Sequence, residues 1–124
     1  MMALGGFGGN FVLTLADHAQ NGFFETMEWI PVFSAAIASG FLVIAFSFKN
    51  TREFLTASIV VMALQVIVGM LGFYLHGMAV LNGPAPDLFA NVVYVAPVLA
   101  PLLFANIALL AVFGLWDVRE KYEA

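Results

Sequence analysis

Between Ser58 and His76 the chain reads SIVVMALQVIVGMLGFYLH, and Ser58, Met62, Gln65, Gly69, Gly72 and His76 recur at spacings of four, three, four, three and four. At helical geometry those six positions form one line down one side. Nearly every residue between them is apolar. A helix that is greasy around most of its circumference has no place for that surface in water. In a bilayer it needs only one protein-facing side, and small and polar residues favour that side. The stripe therefore predicts a membrane helix and says which way it faces.

The totals agree. Hydrophobic residues make up 63% of the 124 residues and charged residues 10%, where a soluble domain has about 25% charged residues. Mean hydropathy is +1.00. The length allows one domain, residues 1–124. There is no cysteine, which removes disulfides, thiolate metal sites and cysteine nucleophiles. No phosphate-binding loop, no nucleophile beside a base and no basic patch for nucleic acid is present, so neither an enzyme nor a nucleic-acid partner is indicated. The Gly5–Gly9 run precedes no strand. The first ten residues lack a charged leader and a long apolar run, so targeting is expected to lie in the membrane helices themselves.

Taken in order, the chain predicts an all-α integral membrane protein with three transmembrane helices preceded by an interfacial amphipathic helix. Residues 1–10 are Gly-rich and expected to be flexible. The interfacial helix covers 11–24, with Asn10, Thr14, Asp17 and Asn21 on one face and Phe11, Leu15 and Ala19 on the other; it is too short and polar to span. The first span covers 29–48, with Pro31 in its first turn and Ala35, Ala36, Ser39 and Gly40 as two overlapping small-residue pairs that admit a neighbour closely. The second covers 53–76. After a Gly- and Pro-rich loop, Leu88–Trp116 would measure roughly 43 Å as straight helix, longer than a hydrocarbon core of about 30 Å. Pro97 and Pro101 divide it into a shallow pre-helix, 88–96, and a third span, 97–116. Trp29 and Trp116 take interfacial positions.

All the basic residues, Lys49, Arg52, Arg119 and Lys121, fall in two places that three spans put on one side. The positive-inside rule makes that side cytoplasmic, with the N-terminus outside and the C-terminus inside. Asp17, Glu25, Glu28 and Asp87 then lie outside.

Two constellations could carry chemistry. At mid-depth, Ser39, Gln65 and Asn106 each offer a hydrogen-bonding side chain from a different span. They either hold the bundle together or line a pocket for a carbonyl-bearing ligand such as a quinone or a pigment. On the outer side stand both histidines, His18 and His76, with Glu25 and Glu28 three residues apart. Histidine and carboxylates can ligate a metal, and two histidines can ligate one haem axially. Against this, His76 can simply cap its helix C-terminus. The spacing matches no metal signature, and His76, His18, Gln65, Asn106 and Ser39 remain the candidate cofactor contacts.

The leading expectation is a small accessory subunit of a larger membrane complex of bioenergetic type in a bacterial inner membrane. It would contact lipid and larger membrane-protein subunits, and would either stabilise those subunits or complete a quinone, pigment or haem site shared with them at an interface. The alternatives are a haem- or metal-binding redox protein using the outer histidines, and a homo-oligomeric small transporter or channel lined by Gln65 and Asn106.

Overall fold

The computed structural model describes residues 1–20, 22–23, 25–94 and 96–121. Among these residues every regular element is helical: α1 (Met2–Gln20), a single 3₁₀ turn (Thr26–Glu28), α2 (Trp29–Ser47), α3 (Arg52–Leu81), the short α4 (Leu88–Tyr94) and α5 (Leu99–Lys121). Three segments are long and apolar enough to cross a membrane: Thr26–Ser47, Arg52–Leu81 and Leu99–Lys121. These are the three expected spans, and they make the chain an integral membrane protein by length and composition.

Local chemistry sets the ends. Thr51 caps α3, its Oγ1 accepting from the Phe54 N–H at 3.2 Å. Asn50 Nδ2 donates to the Ala45 carbonyl at 2.7 Å, closing the last turn of α2. The second span does not stop at His76. Met78, Ala79, Val80 and Leu81 continue the helix past Gly77, and Asn82 ends it by donating from Nδ2 to the Met78 carbonyl at 2.8 Å. Asp87 Oδ1 accepts from Ala90 N–H at 2.8 Å at the start of α4. The third span begins at Leu99 and extends past Trp116 to Lys121, where a Lys121–Asp117 ion pair spans the last turn.

The stripe faces inward, as read. Ser58 and Met62 are wholly buried, Gln65 and Gly69 are buried, and Gly72 and His76 are half-buried. Its opposite side, including Val60, Leu64 and Ile67, is exposed. The tightest approach is at Gly69. A Cβ there would stand 2.7 Å from Ala105 N, 2.8 Å from Ala105 Cβ and 2.8 Å from the Pro101 carbonyl oxygen, so α3 and α5 are in backbone contact. Ala35, Ala38, Ala108 and Ala111 let the helices close around Phe7, Leu42, Leu55, Met62, Phe104 and Leu115.

The N-terminal segment corrects the sequence reading. Residues 1–10 are not a flexible lead, because α1 starts at Met2 and ends at Gln20 rather than covering 11–24; Asn21 and Phe24 lie outside the described residues. Nor does α1 lie across the bundle end. Phe7 is wholly buried edge-to-face on Phe104, with ring centroids 5.2 Å apart, and Gly6 faces the Ile107 side chain. At its other end His18 reaches Glu28. The helix thus runs lengthwise as an antiparallel hairpin with α2, and closes a ring of pairs α1/α2, α2/α3, α3/α5 and α5/α1. Four glycines lower helix propensity by roughly 1 kcal/mol each, which argues for flexibility on sequence alone. Packing overrides it: a Cβ on Gly6 would lie 2.9 Å from Ile107 Cδ1. Because the hairpin is antiparallel, Met2 points toward the end that carries Lys49 and Arg119. An N-terminus at the acidic end does not fit this packing.

Two helix-face expectations also change. Asn10, placed on a solvated face, is 8% exposed and donates to the Gly6 carbonyl within its own helix. Of the small residues of α2, Ala35 and Ser39 turn inward whereas Ala36 and Gly40 are exposed.

Gly69→Val should force α3 and α5 apart and lower unfolding stability by about 1–3 kcal/mol, the range for overpacking. Gly40→Ala, whose Cβ would meet nothing within 4 Å, should leave the thermal midpoint in detergent unchanged or higher. An unchanged midpoint for Gly69→Val would show that the seam is looser than described.

Candidate functional site

The mid-depth trio does not assemble. Gln65 is buried, but it accepts from the Ser34 hydroxyl, not from Ser39, and donates from Nε2 to the Val61 carbonyl at 3.1 Å. Ser39 is half-buried, and its Oγ has no hydrogen-bond partner. Five residues along a helix is a rotation of about 140°, so α2 cannot present Ser34 and Ser39 to one partner. Asn106 is exposed, turned away between the buried Ala105 and Ala108. Depth alone had suggested the trio. The face pattern identifies Ser34, which is buried on the same side as Ala38 and Leu42.

The outer constellation does come together. A cavity of about 450 Å³ opens between α1, α2, α3 and α5, and His18, His76, Glu25 and Glu28 all line it, with Asp17, Thr14 and Asn10. The void begins where the α3–α5 seam ends: Gly69, Gly72, Pro101 and Phe104 form its apolar floor. Above that level α5 has not yet begun: it starts at Leu99, with Ala100 N–H donating to the Pro97 carbonyl at 3.2 Å. The bundle cannot close there.

Each histidine turns its Nδ1 toward a neighbouring oxygen. His76 Nδ1 lies 3.2 Å from the Pro97 carbonyl oxygen. A carbonyl only accepts, so Nδ1 carries the hydrogen and Nε2 of the neutral ring is an acceptor. His18 Nδ1 lies 3.3 Å from Glu28 Oε2. That contact is an ion-pair distance without hydrogen-bond alignment, and Glu28 Oε2 is buried with no hydrogen-bond partner. The end of α1 that carries His18 is fixed by a Schellman closure: Gly22 has φ +74°, Gly22 N–H donates to Ala19 and Phe23 N–H to His18. Phe23 itself has φ +48°, a left-handed conformation unusual for a bulky residue. Its ring stacks on Trp29 with centroids 3.8 Å apart, which ties the turn to the start of α2.

Among the described residues no three of His, Asp and Glu are gathered closely enough to hold a metal ion. The proposed metal ligands His18, His76, Glu25 and Glu28 are spread around the wall of a cavity rather than converging on a point. No Lys or Arg lines it; the basic residues stand at the other end of the bundle. The arrangement can hold a small molecule with an apolar body and a polar end. Such a cavity falls within the roughly 300–1,000 Å³ typical of ligand sites.

The fold and cavity define a class, a small helical integral membrane bundle with a polar-ended pocket. Comparison with known proteins gives no significant match to a family model, a characterised sequence or a solved structure.

A double-mutant cycle on Ser34→Ala and Gln65→Leu should give a coupling of about 0.6–1.7 kcal/mol, the range for polar contacts inside membrane bundles. The equivalent cycle on Ser39→Ala and Gln65→Leu should give none. Coupling through Ser39 instead of Ser34 would contradict the observed rotation of α2.

Proposed function

We propose that this protein is a small integral-membrane subunit, in the cytoplasmic membrane of a bacterium, that holds an amphipathic small molecule or cofactor at the outer end of its bundle. The observation that carries this reading is the cavity itself, where both histidines and three carboxylates meet on an otherwise apolar chain. By the positive-inside rule the end with Lys49, Arg52, Arg119 and Lys121 is cytoplasmic and the cavity end is outside. The C-terminus is then inside. The hairpin of α1 with α2 directs the N-terminus inward as well.

Membership of a larger assembly is supported by Asn106. An exposed amide in the middle of an apolar span would face hydrocarbon, where an unsatisfied polar group costs several kcal/mol. A neighbouring membrane subunit that accepts and donates at this depth removes the penalty. The same exposure weighs against a channel lined by Gln65 and Asn106, because the two face different surroundings. A second reading, one haem ligated by His18 and His76, is favoured by the His76 Nδ1 contact with the Pro97 carbonyl, since ligating histidines are oriented through their other nitrogen. The acidic wall counts against it, because haem brings anionic propionates.

Protein taken from its native membrane into nanodiscs should carry an extractable small molecule near unit stoichiometry. Ala79→Phe, an exposed position on the cavity wall, should remove it without lowering the thermal midpoint. A Soret band would favour the haem reading, and an empty, colourless protein that is unaffected by Ala79→Phe would overturn both. Asn106→Leu should weaken association with partner subunits by about tenfold or more and leave the isolated chain folded; retention of every partner would remove Asn106 from the interface.

A further inference from the structure

We infer that the ligand of the outer cavity is an organic amine, protonated, with an apolar body. This rests on the reading of the cavity as a ligand site and names the chemistry it selects. The polar wall is rich in acceptors and in negative charge. His76 uses Nδ1–H on the Pro97 carbonyl, which leaves Nε2 of the neutral ring as an acceptor. Glu28 Oε2 is buried with no hydrogen-bond partner, although the His18 ring lies 3.3 Å away. Asn10 is 8% exposed; one of its two Nδ2 hydrogens goes to the Gly6 carbonyl, and its Oδ1 remains an acceptor. Asp17 and Glu25 add carboxylates. Among the described lining residues no side chain carries a permanent positive charge, and the neutral donors are few: the Thr14 hydroxyl, the one N–H of a neutral His18 ring and the second Nδ2 hydrogen of Asn10.

A quinone or any other neutral carbonyl ligand would leave the three carboxylates of the wall uncompensated. A carboxylate or phosphate would meet three carboxylates and no cation. An ammonium group supplies up to three N–H donors and the opposite charge, and in a low-dielectric site unlike charges attract far more strongly than in water. Glycine and proline at the floor leave room for the apolar body over Leu75 and Phe104.

The test uses the full chain in phosphatidylcholine nanodiscs at pH 7, with empty discs subtracted. The probes are radiolabelled 6-phenylhexylamine and its alcohol and carboxylic acid counterparts. The amine should bind saturably and at least about tenfold more tightly than the alcohol, and the acid should not bind. Glu28→Gln should weaken the amine by about tenfold while leaving the alcohol within about threefold. Asp17→Asn, at an exposed cavity carboxylate, should weaken the amine by about threefold and serves if Glu28→Gln does not fold. If the alcohol or the acid binds as well as the amine, the charge selection is wrong and the cavity reading stands. Amine binding indifferent to both carboxylate variants overturns the inference in the same way. If none of the three binds saturably, or binding survives Ala79→Phe, the cavity reading itself fails.

Discussion

The backbone contact of α3 with α5 at Gly69 is the constraint on which the rest of the bundle depends. Lipid tails are as apolar as leucine, so membrane helices gain little by hiding apolar side chains from one another. They associate where surfaces fit closely enough for van der Waals contact. Gly69 against Pro101 and Ala105 is such a place, and the stripe from Ser58 to Met62 extends it downward into the wholly buried core. Above Gly69 the conditions change. Gly72 still meets Pro101, but α5 has no further turn to offer beyond Leu99, and the space left over becomes the cavity. One seam therefore produces both the packed half of the molecule and the open half.

α1 fits into what that seam leaves. A three-helix arrangement of α2, α3 and α5 would expose Phe104 and Ile107 on one side. Phe7 and Gly6 cover them, the first by filling space and the second by having nothing that clashes. Polar groups along α1 are handled at short range: Asn10 bonds within its own helix, and the end near His18 is closed by the Gly22 turn. Upward from Asn10 the same helix turns Thr14, Asp17 and His18 to the void. The element that completes the core thus also supplies one wall of the site.

Much of the fold was legible because three apolar segments and one small-polar stripe are strong signals, and the inward face of α3 follows directly from the spacing of Ser58, Met62, Gln65 and Gly69. The existence of α1 from Met2 was not legible. Glycine lowers local helix propensity, and only the position of Ile107, a century of residues away in the chain, makes Gly6 favourable. The mid-depth trio failed for a related reason. Depth along a helix can be counted from sequence, but rotation is set by the neighbour, and rotation separates Ser34 from Ser39 and sends Asn106 outward. The outer residues were found together because charge in an apolar chain is confined to the ends, and the topology leaves few ends. The break before α5 was legible from Pro97 and Pro101, but the void beside it, with the Pro97 carbonyl as the partner of His76, depends on how α1, α2 and α3 pack around it.

The sign of the cavity's field follows from the antiparallel layout. The C-termini of α1 and α3 and the N-termini of α2 and α5 all lie toward the cavity end. Their partial charges are of opposite sign and close in magnitude, so the helix dipoles largely cancel there. What remains is the side-chain charge: Asp17, Glu25 and Glu28, with no Lys or Arg among the lining residues. Lys49, Arg52, Arg119 and Lys121 are at the opposite end of the bundle, a span of lipid away and far beyond the roughly 10 Å over which exposed charges act in salt solution. Among the described lining residues there is therefore no permanent internal counter-charge. A bound cation can provide the neutralisation that the fold itself does not.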